Sequence, residues 1–428
     1  MATADVVGAR APAWRGGFGR LWTAAVLSGF GDALRTAALP LLAVTLTDQP
    51  LLIAAVTACG YLPWLLFGLL LGGAVADRVD QRRAMWAVDA SRGLLMGAFA
   101  VAVGLGHASI GLLIALAFVL AALQTLFDNA ATALLPHVVD PKALGGANAR
   151  LMTGQRVAGG LLGAPAVPLL LAAGAAVPFA ADAVTFVLAA ALIASLRTAA
   201  PGRAPKQAGS TLRREIAEGL RALWRDRALR GLCAATALCN IGMGALIATL
   251  VVLVTGWLEA GTAGFAAAST AYTVGSLAGG VGNRWVTARL GPARAVLIAG
   301  CGQTGALVAM GTLRSLTALA AALAVFGFLG MVWNVNTTTL MQQRAPVDML
   351  GRVGSAFRTS AVAGAPLGAL LGGAAATAWG PNTPALLTAA FFVLSVLALI
   401  PVAGPDVPVG ASPAVAPDDD ATTAHVTR

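Results

Sequence analysis

Twelve apolar runs follow one another along this chain, near 21–46, 51–75, 84–106, 110–135, 151–173, 178–196, 231–256, 264–287, 293–312, 316–340, 355–378 and 383–402. Each is about the length a helix needs to cross ~30 Å of hydrocarbon. Composition agrees: 58% of the 428 residues are hydrophobic and 11% charged, against about 25% charged in a soluble domain. A water-soluble core cannot hide that much apolar surface. The expected fold class is therefore an all-α integral membrane protein with twelve transmembrane helices.

The runs are two sets of six. Leu71-Gly-Gly-Ala-Val-Ala-Asp77-Arg78-Val-Asp80-Gln-Arg82-Arg83 breaks the chain between runs two and three, and Leu277-Ala-Gly-Gly-Val-Gly-Asn283-Arg284 repeats it 206 positions later. The same offset relates Leu144-Gly145 to Leu350-Gly351. One unit is used twice, which predicts two pseudo-symmetric six-helix bundles at 21–196 and 231–402. A polar arm (1–20), a linker (197–230) and a polar tail (403–428) complete the division. The arm has no apolar core ending in a cleavage site, so no removable signal peptide is expected.

Lys and Arg set the orientation. They concentrate in the arm, the 76–83 turn, the 136–150 loop, the linker, the 288–294 turn and the 341–354 loop; the opposite loops hold only Arg314. Both termini are therefore expected in the cytoplasm. The net charge of +10 is read the same way, and nucleic acid is not expected as a partner, since the basic residues are divided among loops. The linker carries nine Lys/Arg and three Asp/Glu. From Thr211, the spacing of Leu212, Ile216, Leu220, Leu223 and Trp224 predicts an amphipathic helix on the membrane surface.

Cys59, Cys233, Cys239 and Cys301 lie in apolar runs without metal-ligand spacing, and read as small buried hydrophobes. The three histidines fall in loops or the tail, and no phosphate-cradling loop is present. No metal or cofactor is expected, and enzyme chemistry has no motif to carry it.

Gly73-x-x-x-Asp77-Arg78-x-x-x-Arg82-Arg83 resembles the loop signature of the major facilitator superfamily, with Asp80 where the usual second glycine stands. Ser28-Gly-Phe-Gly-Asp32 through Leu39-Pro40, Tyr61-Leu-Pro63-Trp64, Leu135-Pro136 through Asn148 and Glu218-Gly-Leu-Arg221 are similar to a bacterial exporter branch that includes the enterobactin exporter and drug or macrolide efflux proteins. The resemblance implies a bacterial inner-membrane transporter, a monomer by the superfamily's habit. It also implies a cytoplasmic latch between spans 2 and 11. Gly73, Asp77, Arg78, Arg82 and Arg83 would form it, with Asn283 and Arg284 as the second-half counterpart. Gly159-Gly160-Leu-Leu-Gly163-Ala-Pro165 resembles the antiporter branch's span-5 signature, with Ala164 inserted; small residues and a proline there predict close packing and a helix bend at Gly159, Gly163 and Pro165.

An ionisable side chain at the bilayer centre costs roughly 2.5–3.5 kcal/mol on insertion scales, so each one is a functional candidate. Asp32 lies eleven residues beyond Leu21, or ~17 Å at 1.5 Å per residue. Arg35 is three residues on, on nearly the same face. Burial penalises the Asp32 charge and Arg35 offsets that penalty, a balance suited to binding and releasing a proton. A static pair that makes the helix tolerable is the other reading. Gln124, Asp128 and Asn129 of span 4 are expected at the substrate cavity or in hydrogen bonds between helices. Arg156 of span 5 is the expected partner of Asp128. Asn334 and Asn336 are the second half's expected cavity groups. Asp89 and Arg92 read as a structural pair that snorkels to the cytoplasm. Asp182 reads as a cap at the start of span 6.

With few charges in its spans, the cavity should be mainly apolar, suited to bulky amphipathic molecules. The leading expectation is a proton-coupled exporter of hydrophobic or amphipathic small molecules, with protons, substrate and the lipid bilayer as partners. A dedicated exporter of one metabolite such as a siderophore, and a non-transporting sensor or scaffold, remain alternatives.

Overall fold

The computed structural model describes residues 16–71, 80–139, 143–196, 221, 223–345, 353, 354, 357, 359 and 362–400. Among them twelve long helices run in chain order. In the first half these are α1 (Gly17–Leu46), α2 (Pro50–Leu71), α3 (Gln81–Gly104) and α4 (Ile110–Val138). Next come α5 (Leu144–Arg156, continued by a π segment Val157–Gly163 and by Ala164–Ala173) and α6 (Val177–Ala194). The second half holds α7 (Arg227–Val252, continued by a π segment Leu253–Trp257), α8 (Gly261–Leu290), α9 (Pro292–Thr312), α10 (Leu316–Arg344), α11 (Gly364–Trp379) and α12 (Thr383–Leu399). Each expected run thus has its helix, and α5 starts seven residues before the apolar run at 151. Most of the linker's amphipathic helix, and Gly73, Asp77 and Arg78 of the expected latch, lie outside the described residues.

Local chemistry sets the helix starts. Ser109 and Ser315 accept the backbone N–H three residues on and cap α4 and α10; they are themselves 206 residues apart. Asp80 caps α3 by accepting from the Arg83 N–H, so the residue that replaces the expected glycine gains a role of its own. The α8–α9 turn is a single residue, Gly291, at φ 73°, followed by Pro292 in the first turn. Only glycine adopts that left-handed backbone freely.

Helix pairing repeats with the sequence. In the first half α1 packs on α5 and α6, α2 on α4, and α3 on α4 and α6. In the second, α7 packs on α11 and α12, α8 on α10, and α9 on α10 and α12. The halves meet through α2 against α11 and α5 against α8. Glycines permit the closest approaches. Gly368 lies against the Ile241 carbonyl and Gly275 against the Ala324 carbonyl, where any Cβ would collide with backbone. Outward faces carry large apolar residues, among them Leu169, Val281 and Trp379, each at least three-quarters exposed. In water such a surface would aggregate; in lipid it is the solvated face.

Candidate functional site

The first half contains a chain of five alternating charges drawn from three helices. Asp182 of α6 lies 3.8 Å from Arg35 Nε. Arg35 Nη2 donates to Asp32 Oδ1 at 2.7 Å, both on α1. Arg92 Nη2 of α3 approaches the same Asp32 oxygen at 4.0 Å, and Arg92 Nη1 donates to Asp89 Oδ1 at 3.3 Å. The order is Asp182, Arg35, Asp32, Arg92, Asp89. The two terminal carboxylates and Arg92 are fully buried, whereas the central Asp32 side chain is 25% exposed. Three carboxyl groups share two guanidiniums, so with all five ionised the array carries one negative charge in excess.

Packing holds this arrangement in place. Arg92 lies over the rings of Phe186, at 4.7 Å from the centroid, and Phe127, at 5.7 Å. Both are cation–π distances. Arg92 also donates to Gln124 Oε1 on α4, and Gln124 Nε2 donates to Asp128 Oδ1 at 2.7 Å. Asp182 fits inside the bundle because Gly31 of α1 has no side chain. A Cβ there would occupy the space of Asp182 Oδ1 and Thr185 Oγ1.

Two expectations are corrected here. Asp182 does not cap α6, which begins at Val177 after Ala176. It lies within the helix, fully buried, against Arg35. Asp89 and Arg92 do not snorkel; both are fully buried. The helix begins at Gln81 rather than near 84, so Arg92 stands about 4.5 Å deeper than the expected start implied.

The other expected site residues divide. Arg156 Nη1 donates to Ser276 Oγ of α8 at 3.2 Å, so its partner lies in the opposite half and is not Asp128. Asn336 is not a cavity group: it is 1% exposed and donates to Asn283 Oδ1 at 2.8 Å, while Thr287 Oγ1 donates to Asn336 Oδ1 at 2.9 Å. This clasp joins α10 to α8 and occupies Asn283, an expected latch residue. Asn334 is exposed, with its amide donating to the Gly330 carbonyl. Arg284 is exposed. The Asn129 side chain lies outside the described residues. Cys301 is exposed, unlike the buried Cys233 and Cys239.

At the basic end, Arg82 Nη2 donates to the Ala194 carbonyl at 2.9 Å and Arg20 Nη1 to the Ser195 carbonyl at 2.7 Å. Two arginines thus satisfy the carbonyls that α6 leaves open at its C-terminus, where the helix dipole favours cations. Arg83, 78% exposed, pairs with Asp80 at 3.6 Å. Gly159 and Gly163 fall in the π segment of α5 and Pro165 just beyond it. Gly163 packs against Ala33 and the Phe30 carbonyl of α1, next to Asp32. π turns of this kind interrupt helices frequently at functional sites.

Sequence reasoning missed Ser276 and Tyr272, and used Tyr61 of α2 only in the branch resemblance. Tyr272 and Ser276 are one turn apart on α8. Thr273, beside Tyr272, lies against Gly160 of α5, one turn beyond Arg156. The signal available was scarcity: Tyr61 and Tyr272 are the two tyrosines of the whole chain.

A family model described as "Major Facilitator Superfamily" matches residues 21–368. No curated protein matches the chain. Solved structures with the same fold include the nucleoside transporter NupG, 13% identical, covering 89% of this chain and 98% of its own, with a TM-score of 0.69. A bacterial homologue of the iron transporter ferroportin in an inward-facing state is 14% identical, with coverage of 90% and 98% and a TM-score of 0.70. A bacterial homologue of the human lysosomal transporter Spinster, inward-facing and unoccupied, is 15% identical, with coverage of 90% and 95% and a TM-score of 0.68.

Proposed function

The chain belongs to the Major Facilitator Superfamily, and we propose on that footing that it is a proton-coupled exporter of hydrophobic or amphipathic small molecules, working by alternating access of its two halves. The observation that carries the reading is the five-charge chain. With Asp32 ionised, two arginines compete for three carboxylates. With Asp32 protonated, Arg35–Asp182 and Arg92–Asp89 remain as two complete ion pairs, and the five-residue array is neutral. One proton on the one partly exposed carboxylate therefore repartitions both arginines. A change of partners of this kind biases a two-state packing, which is what coupling requires.

Asp32 is the proton-binding group in this scheme, and Arg35 and Arg92 are positioning residues. Gln124 transmits the state of Arg92 to Asp128, which with Asn129, Arg156 and Asn334 faces substrate. Asn336 has no such role. The rocking of the halves proceeds about the α2–α11 and α5–α8 contacts, with the 71–83 loop as cytoplasmic latch. Asp77 and Arg78 engage α11 in one state and release it in the other. Arg82 and Arg83 anchor the loop's far side. Outward direction and an inner-membrane location are supported by the branch resemblance of 28–40, 61–64 and 135–148, and a monomeric state by the superfamily's habit.

The test is transport in proteoliposomes under an imposed pH gradient. Asp32→Asn should abolish gradient-driven flux while leaving gradient-independent exchange, and full gradient-driven flux in that variant would sink the assignment. Asp77→Asn should reduce flux at equal protein density; unchanged flux would remove the latch.

A further inference from the structure

Arg35 and Arg92 both have carboxylates beside them. Arg156 differs: it lies six residues into the apolar span Arg150–Ala173 of α5, ~9 Å along the helix from its start. Its side chain is exposed, and its hydrogen-bond partner is the neutral Ser276 hydroxyl of the other half. Among the described residues no carboxylate forms an ion pair with it. A guanidinium at that depth with a neutral partner is unbalanced, and a membrane protein keeps such a charge where it meets a counter-ion.

The surroundings say what kind of counter-ion fits. Ser276 and Tyr272 bring two hydroxyl-bearing side chains, one turn apart on α8. The Tyr272 ring is 38% exposed and is backed by the buried Phe326 ring at a centroid distance of 6.4 Å. Gly160 of α5 lies directly against Thr273, so nothing bulky separates the two helices at this level. The π segment begins at Val157, the residue after Arg156. A planar fork of N–H donors with hydroxyls nearby matches a carboxylate or other oxyanion. The exposed face of the Tyr272 ring matches an apolar or aromatic body.

We propose that the substrate is an amphipathic organic anion, its oxyanion held by Arg156 of the first half together with Ser276 and Tyr272 of the second. The ligand would replace the Arg156–Ser276 bond and join the two halves. The inference rests on the transport reading above for the word substrate; the binding site itself does not depend on proton coupling.

The experiment is equilibrium dialysis of the purified full-length protein in neutral detergent, with no gradient, using naphthylacetate and naphthylethylamine as probes of the same ring and opposite charge. Naphthylacetate should bind at least about tenfold more tightly than the amine, the factor expected of a charge-assisted contact. Arg156→Gln should remove that preference, Arg156→Lys should retain most of it, and Ser276→Ala should weaken the acid while preserving the order. The folded state of each variant is checked by its elution and melting in the same detergent. Equal or tighter binding of the amine, binding of neither probe, or a preference that survives Arg156→Gln would overturn the proposal. Competition of naphthylacetate by phosphatidylglycerol but not by free carboxylates would assign the oxyanion to a lipid headgroup and overturn it as a substrate site. Anion binding without gradient-driven flux would instead sink proton-coupled export and leave this site standing.

Discussion

The contact between the first and last helix of each half is built in two different ways. In the second half, Thr388 Oγ1 donates to the Gly242 carbonyl at 2.9 Å and Ser395 Oγ donates to the Ala235 carbonyl at 2.8 Å, joining α12 to α7. In the first half the same pair, α6 and α1, meets at the Asp182–Arg35 ion pair. Asp182 and Thr388 are 206 positions apart, as are Asp32 and Leu238, and Arg35 and Ile241. Short hydroxyls are therefore sufficient to pin this helix pair inside a bilayer. The charges of the first half exceed what packing needs, and that excess is the argument for assigning them to coupling.

The comparison can be broken most forcefully at Arg92. Arg92→Ala leaves Asp89 buried without its cation and should lower stability by about 3–5 kcal/mol, the usual consequence of breaking a buried pair. Thermal melting by size exclusion in detergent measures it. Neutralising both partners, in Asp89→Asn with Arg92→Gln, should restore most of the melting temperature and none of the gradient-driven flux. Recovery of flux as well would mean that the first half's charges are only scaffolding.

Transplanting the second half's solution is a milder test. Asp182→Thr copies Thr388, and stability should change by less than about 1 kcal/mol, while the pH dependence of transport changes because Arg35 loses one of its two carboxylates. A variant with wild-type pH dependence would remove Asp182 from the coupling chain. In the opposite half, Thr388→Val should lower stability by about 1 kcal/mol and leave the pH dependence alone. The smallest effects belong to the shared architecture. Ser109→Ala and Ser315→Ala remove equivalent caps, and each should lower stability by about 1 kcal/mol. A marked inequality between them would show that the two bundles differ in more than their polar cores.

The helix order, the loop positions and the two-fold repeat were legible in the chain, because period, length and basic-loop asymmetry are properties of the sequence itself. The site was legible only in part. Asp32 and Arg35 could be paired from their spacing. Asp182 could not be joined to them, because the space it fills is created by a glycine 151 positions earlier. Asp89 and Arg92 repeat the Asp-x-x-Arg spacing of Asp32 and Arg35, a signal that a misplaced helix start obscured. An amide such as Asn336 has the same pattern whether it faces a cavity or a neighbouring helix, so its clasp with Asn283 needed coordinates.

Gly31 gives the first half a different kind of vulnerability. Its missing side chain is the mould into which a carboxylate from another helix is cast. A single methyl group at this position would add no charge, yet it would push aside the Thr185 hydroxyl, evict Asp182 and prise the ion pair open. The proton-handling chemistry of this bundle thus depends on a void one atom wide, kept open by the residue with the least to contribute.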